Sequence, residues 1–243
     1  MIHPSLKALG LALVCTLPFA ASAQLSGNIS LTSNYKFRGQ DQDLGKTRAV
    51  KPALQGGFDY AFGDTGWYVG NWNSSVNWLP GNSLEADFYG GYKFKAGAVD
   101  MDVGALTYLY PGHTSGNTTE LYGAATFGPV TAKYSHTVSQ DYFGWAGAKS
   151  GSGLKGRHTG YLNLAYTQEI APQWTLKASV GFTRFASGIK SLGVPNYMDY
   201  SVGAAYDFGG GLSLGASVAA ANQKAYFGDA NKARLLVTLT KTL

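Results

Sequence analysis

Residues 84–96 read LEADFYGGYKFKA, and their alternation decides the fold. Leu84, Ala86, Phe88, Gly90, Tyr92, Phe94 and Ala96 share one parity; Glu85, Asp87, Tyr89, Gly91, Lys93 and Lys95 share the other. Side chains alternate across a β-strand, so one face is apolar and the opposite face polar. The run also has the length of a tilted membrane-crossing strand, which needs ~9–11 residues.

The pattern extends outward from there. Val99, Met101, Val103, Ala105, Thr107 and Leu109 alternate with Asp100, Asp102, Tyr108 and Tyr110. At the C-terminal end Leu235, Val237, Leu239 and Leu243 oppose Arg234, Thr238, Thr240 and Thr242. The whole chain yields about twelve strands, near 25–37, 51–62, 67–78, 84–96, 99–110, 118–127, 130–139, 158–170, 174–185, 198–208, 211–222 and 231–243. Every second link is short, such as Gly97-Ala98, Gly128-Pro129 and Gly209-Gly210. The others are longer, notably 39–50, 140–157 and 186–197. Short turns alternating with long loops predict an all-β fold, a transmembrane antiparallel up-and-down barrel with both termini at the turn end. Tyr60, Phe62, Tyr68 and Trp174 near the turns, with Trp78 and Tyr35 near the loops, fit two interfacial aromatic girdles.

Composition agrees. Charged residues make up 14% of the chain, against ~25% in a typical soluble domain. Tyrosine (16) and glycine (33) are abundant, and mean hydropathy is only −0.09. The single cysteine, Cys15, falls within residues 1–23, which have the three parts of a signal peptide. His3 and Lys7 precede an apolar run from Ala8 to Ala20, and Ala21-Ser22-Ala23 gives the small-x-small cleavage pattern. Such a run, ~13 residues, is too short to cross a bilayer as a helix. Residues 24–243 then form one cysteine-free domain, and the net charge of +5 falls to +4 with loss of Lys7. That mild basicity is unclustered, which argues against nucleic acid as a partner. A soluble secreted β-protein is the alternative fold.

Ser33-Asn34-Tyr35-Lys36-Phe37-Arg38-Gly39 resembles the S-x-Y-x-F-R-G opening of the TorF-like porin family of proteobacteria. The blocks 52–60, 66–74 and 84–92, then Tyr110-Pro111-Gly112 and Glu120-Leu121-Tyr122, are similar in the same order, densely before about residue 145. The resemblance implies an outer-membrane barrel and supplies no catalytic residues. The last strand is similar to the signal read by the barrel-assembly machinery, although it ends on Leu243 and not on an aromatic.

Chemistry-bearing motifs are sparse. His113, His136 and His158 are candidates for a lipid-hydrolase histidine, but no serine sits in a nucleophile elbow. Metal-ligand spacing is absent, and no cofactor or catalytic set is expected. Strand parity instead turns charges inward. Lys93 and Lys95 face Asp102 and Asp100 across a hairpin. Toward the loops, Arg234 on the last strand, Lys36 and Arg38 on the first and Lys51 on the second gather on one wall. Glu85, Asp87 and Glu120 form another, with Tyr89, Tyr108 and Tyr122 also inward. Facing walls of opposite sign predict a transverse field across a narrow pore for small hydrophilic solutes. A salt-bridged, closed interior serving a structural or surface-binding barrel is the other reading. Outer-membrane lipid and lipopolysaccharide are the expected surroundings. N-terminal sequencing of protein purified from membranes should begin at Gln24; a start at Met1 overturns the signal-peptide assignment.

Overall fold

The computed structural model describes residues 24–44, 50–145 and 153–243; the expected signal peptide 1–23 and part of the Gly/Ser-rich loop 149–155 lie outside them. The chain is a closed barrel of twelve antiparallel strands. These are β1 (Gln24–Thr32), β4 (Ala53–Ala61), β5 (Trp67–Ser75), β6 (Leu84–Ala96), β7 (Val99–Leu109) and β8 (Thr118–Phe127). The second half comprises β9 (Val130–Thr137), β10 (Gly160–Ala171), β11 (Trp174–Arg184), β12 (Tyr197–Gly209), β13 (Leu212–Ala221) and β14 (Arg234–Thr242). Two further short strands, β2 (Lys36–Phe37) and β3 (Gln40–Asp41), form a hairpin apart from the wall. All twelve expected wall strands are present, and each barrel strand pairs with its sequence neighbours until β14 closes on β1, Asn28↔Thr242 through Thr32↔Thr238.

Alternation holds around the ring. Every barrel strand exposes large apolar side chains on its outer face, from Ile29 and Leu31 on β1 to Leu235, Val237 and Leu239 on β14. A continuous apolar belt of this kind is foreign to a soluble monomer, and no helix among the described residues is long and apolar enough to cross a membrane. Near the turns the outer face carries aromatic pairs, Tyr60–Phe62 (centroids 4.9 Å apart), Trp67–Tyr92 (5.0 Å) and Trp174–Tyr206 (5.1 Å). Tyr68 is not part of this girdle. It shares the inward parity of β5 and donates to Asp102 Oδ1 at 2.7 Å. The expected hairpin pairs Lys93↔Asp102 and Lys95↔Asp100 are in register.

The glycines and tyrosines work together inside. Tyr89 of β6 lies flat across Gly70 of β5, so its hydroxyl reaches Asp59 of β4 at 2.6 Å. A Cβ at Gly70 would sit 2.3 Å from the Tyr89 ring. Tyr122 covers Gly104 in the same way and meets the Tyr68 hydroxyl. Missing side chains on one strand thus make room for rings from the next, and the β5–β8 side of the lumen wall is paved with tyrosines.

Gly70→Ala should therefore cost about 1–3 kcal/mol by forcing the Tyr89 ring off Asp59. It should lower the temperature at which the folded band shifts on a heat-modifiable gel. Gly123→Ala, where an added Cβ meets only Val103 at 4.0 Å, should leave that temperature unchanged.

Candidate functional site

The first strand stops at Thr32, earlier than its sequence pattern suggests, because the chain leaves the wall after Ser33, whose N–H still donates to Val237 O, and turns into the barrel. Lys36 and Arg38, expected on the first wall strand, instead lie in the β2–β3 hairpin. The physical cause is the Arg38-Gly39 turn. Both residues have positive φ, 47° and 73°, the backbone of a two-residue hairpin turn that twists with its strands. Lys51 likewise lies just before β4, its ammonium held by the backbone carbonyl of Asp43.

The hairpin crosses the lumen. Its tip residue Gly39 packs so closely on β12 and β13 that a Cβ would lie 2.5 Å from Asp199 Cβ and 2.8 Å from Ala220 O. Arg38 forms a fork with Glu120 of β8, at 3.0 and 2.6 Å, while its guanidinium stacks on Tyr161 (4.2 Å) and Phe37 (4.7 Å). At the base, Asp41 receives Lys36 at 3.0 Å and Arg234 of β14 at 3.1 Å. Lys36 also donates to Gly39 O and Ala230 O, at 2.8 and 2.9 Å. Burial lowers the Lys36 ammonium from its usual value, against the pull of Asp41.

A second layer of contacts surrounds the hairpin. Tyr35 and Tyr110 each donate to Glu85 of β6, at 2.8 and 2.6 Å, and burial holds both phenols above their usual range. Phe37 packs edge-on against Tyr108 and tilts onto Phe143, the latter from the loop after β9. Asp87 is buried, and its Oδ1 has no hydrogen-bond partner among the described residues. Around this level each of the twelve barrel strands buries at least one inward side chain, and Thr32, Ser74, Glu85, Glu120, Thr137 and Ala221 are at most 3% exposed. The loop end of the lumen is filled. A cavity of about 140 Å³ remains beside the hairpin base, lined by Tyr35, Gln42, Asp43, Lys51, Ser75 and Val76.

The ten residues expected to line the site therefore fall into four groups. Lys36, Arg38, Glu120 and Arg234 build the ion-paired plug; Glu85, Asp87 and Tyr108 back it. Tyr89 and Tyr122 pave the wall below, and Lys51 anchors the hairpin base. The open gap between basic and acidic walls is corrected, because Arg38 bridges it directly to Glu120. Asp41, Tyr161 and Gly39 were missed by parity reasoning. The K-F-R-G-Q-D stretch, a two-residue turn between polar and aromatic flanks, is the signal that would have found them.

Below the plug the lumen is lopsided. Tyrosines fill the β5–β8 side, whereas the inward positions of three adjacent strands are small and uncharged. On β1 these are Ser26, Asn28 and Ser30, and on β13 Ser213, Gly215 and Ser217, all half-buried; Thr238 and Thr240 lie between them on β14. The half-exposed side chains of β1 and β13 leave space for water on either side of Thr238 and Thr240, which are themselves buried. This hydroxyl-lined lane runs from the turn end up to the Asp41–Arg234 pair.

Solved structures share the fold. The KdgM porin superposes with a TM-score of 0.56 at 9% identity, covering 89% of this chain and 98% of that one. It is also known in complex with disordered oligogalacturonate. The NanC porin gives 0.55 at 11% identity, covering 90% and 98%. An outer membrane protein of Acinetobacter baumannii gives 0.50 at 9% identity, covering 91% and 97%. No curated protein matches the chain in sequence. A family described as "Bacterial protein of unknown function (Gcw_chp)" matches residues 19–243, nearly the entire chain, and the chain belongs to that family.

Proposed function

We propose that the protein is a narrow, passive outer-membrane channel for small hydrophilic solutes, with the β2–β3 hairpin as its constriction. The observation that carries this reading is the way the lumen is closed. Below the plug a lane of small, partly exposed side chains persists, and above it lies a hairpin joined to β8 across the lumen by the Arg38–Glu120 ion pair. A barrel of twelve strands falls between the filled eight-stranded class and the wide 16–18-stranded porins, so its passage is narrow. The apolar belt, the turn-side aromatic girdle and the likeness to porin barrels support an outer-membrane location, with termini in the periplasm and long loops outside. The resemblance of the opening motif to TorF-like porins belongs to the same reading.

The lane also bears on the solute. KdgM has been captured with an acidic oligosaccharide. Here the nine inward positions between Ser26 and Ser30, Ser213 and Ser217, and Thr238 and Thr242 carry hydroxyls, an amide or glycine, and no charge. The arginine at the constriction is already neutralised by Glu120. This lining favours uncharged, hydroxyl-rich solutes over ions. The second reading, a closed structural or surface-binding barrel, draws on the completeness of the buried layer.

Planar-bilayer recording separates the two. The wild-type protein should give small, brief conductance steps, and Arg38→Ala, which leaves Glu120 without its partner, should give larger or longer ones. Silence from both, with the folded heat-modifiable band intact, would establish the closed barrel. The lane is tested separately in the Arg38→Ala background. Ser217→Lys should shift the reversal potential toward anion selectivity under a salt gradient, whereas an unmoved potential would place the route elsewhere.

A further inference from the structure

On the outer face, at the loop end of β9–β11, lies a basic notch that the channel reading does not use. His136 of β9, Gly160 of β10 and Arg184 of β11 stand in one register row. Strands lie about 4.8 Å apart, so His136 and Arg184 flank a gap of roughly 10 Å whose centre has no side chain. The Tyr134 hydroxyl occupies the floor; a Cβ on Gly160 would come within 2.6 Å of it. From there a hydrogen-bonded series runs outward. Tyr134 Oη lies 3.2 Å from His136 Nδ1, and His136 Nε2 lies 3.0 Å from His158 Nδ1. With the Tyr134 O–H donating to His136 Nδ1, the His136 Nε2–H donates to His158 Nδ1, and the Nε2–H of His158 is left for an external acceptor. His158 is held at φ 74°, a left-handed backbone that costs a non-glycine residue energy, with its amide bonded to Thr137 O at 2.9 Å.

The charge around the notch has one sign. From Gly153 to Met198 the loop end carries Lys155, Arg157, His158, Arg184 and Lys190, while the one acid in that stretch, Glu169, pairs with Thr175 near the opposite, turn end. The flanking acids face inward: Asp199 is buried and accepts from Tyr161 at 3.1 Å, and Asp141 Oδ1 is buried. Directly toward the membrane from the notch, the next row is Tyr134, Leu162 and Phe182, followed by Ala132, Leu164 and Val180. Those side chains are mostly exposed and apolar.

We propose that this notch binds the phosphate of a phosphorylated, multiply acylated lipid of the outer leaflet, such as the lipid A part of lipopolysaccharide. Arg184, His158 and Arg157 supply donors to the phosphate, and the apolar rows beneath receive the acyl chains. A phosphate, like a carboxylate, matches a forked guanidinium beside an imidazole N–H, and it is the anion carried next to acyl chains in such a lipid. A soluble anion would make no use of the apolar rows, so the occupant is a lipid. The inference uses only the orientation of the barrel in the outer membrane, and its test is independent of conductance.

The test is retention of lipid A by the detergent-solubilised, folded barrel, read by native mass spectrometry, against the same lipid with its phosphates removed. The wild type should prefer the phosphorylated form. His158→Gln with Arg184→Gln should weaken that preference roughly tenfold or more. Lys224→Gln with Lys232→Gln, exposed cations at a distant part of the loop end, should leave it unchanged. Both double variants alter exposed side chains, and the heat-modifiable band confirms that each barrel folds. Equal retention of dephosphorylated lipid, an unaffected notch variant, or an equal loss in the control variant would each overturn the site.

Discussion

The backbone hydrogen bonds between β1 and β14 are the constraint on which the rest depends. A sheet edge left open in hydrocarbon strands its N–H and C=O groups at several kcal/mol apiece. The pairing from Asn28↔Thr242 to Thr32↔Thr238, with Leu243 N bonded to Gly27 O at 2.8 Å, removes both edges at once. Once the ring is closed, parity is no longer free. A one-residue slip anywhere would turn a lipid-facing row inward and a polar row outward. Leu239 and Thr240 therefore have opposite surroundings although they are neighbours in the chain.

Closure creates a second demand, that the interior be filled or wetted. The two sides of the barrel answer differently. On β5–β8 the tyrosines lie over glycines of neighbouring strands, and hydroxyl-to-carboxylate bonds such as Tyr89–Asp59 and Tyr68–Asp102 satisfy their polar ends. Lys133 and Lys93 then rest on the faces of Tyr122 and Tyr68 at 3.9 and 4.7 Å, so the charges on that side pack against rings. The opposite side, on β13, β14 and β1, has no large inward side chain below Leu236; its β1 and β13 positions are half-exposed, and Thr238 and Thr240 between them are buried. The hairpin meets the paved side through Arg38 and Phe37 and the open side through Asp41, and so closes both with one insertion.

The strands were legible in the sequence because their information is local: a period of two over ten residues names both the strand and its faces. Glu85, Asp87, Tyr89, Tyr108, Glu120 and Tyr122 were accordingly assigned inward from parity alone, and they are inward. What parity could not carry is depth and contact across the lumen. Arg38 and Glu120 are 82 residues apart in the chain, and only the hairpin's reversal at Arg38-Gly39 brings them together. The segment 33–37 continues the alternation of β1 closely enough to look like more wall. Its departure depends on two positive φ angles, which an arginine does not advertise. Tyr68 was misplaced for a related reason, since proximity to a turn says how deep a residue lies but not which way it faces.

The energetics of the plug suit a constriction better than a permanent stopper. An ion pair withdrawn from water regains little net stability, because desolvation of both partners offsets much of their attraction. Arg38 adds to this a left-handed backbone that costs a non-glycine residue about 1–3 kcal/mol. Apolar side chains would have sealed the same layer more firmly, and the aromatic cluster of Tyr142, Phe185, Ile189 and Tyr197 beside it shows that this chain builds such packing where it is wanted. At the hairpin tip it has instead placed charges whose closed-state bonds can be exchanged for water in the lumen. The closed arrangement is thereby held by geometry and pairing, with a modest surplus of free energy.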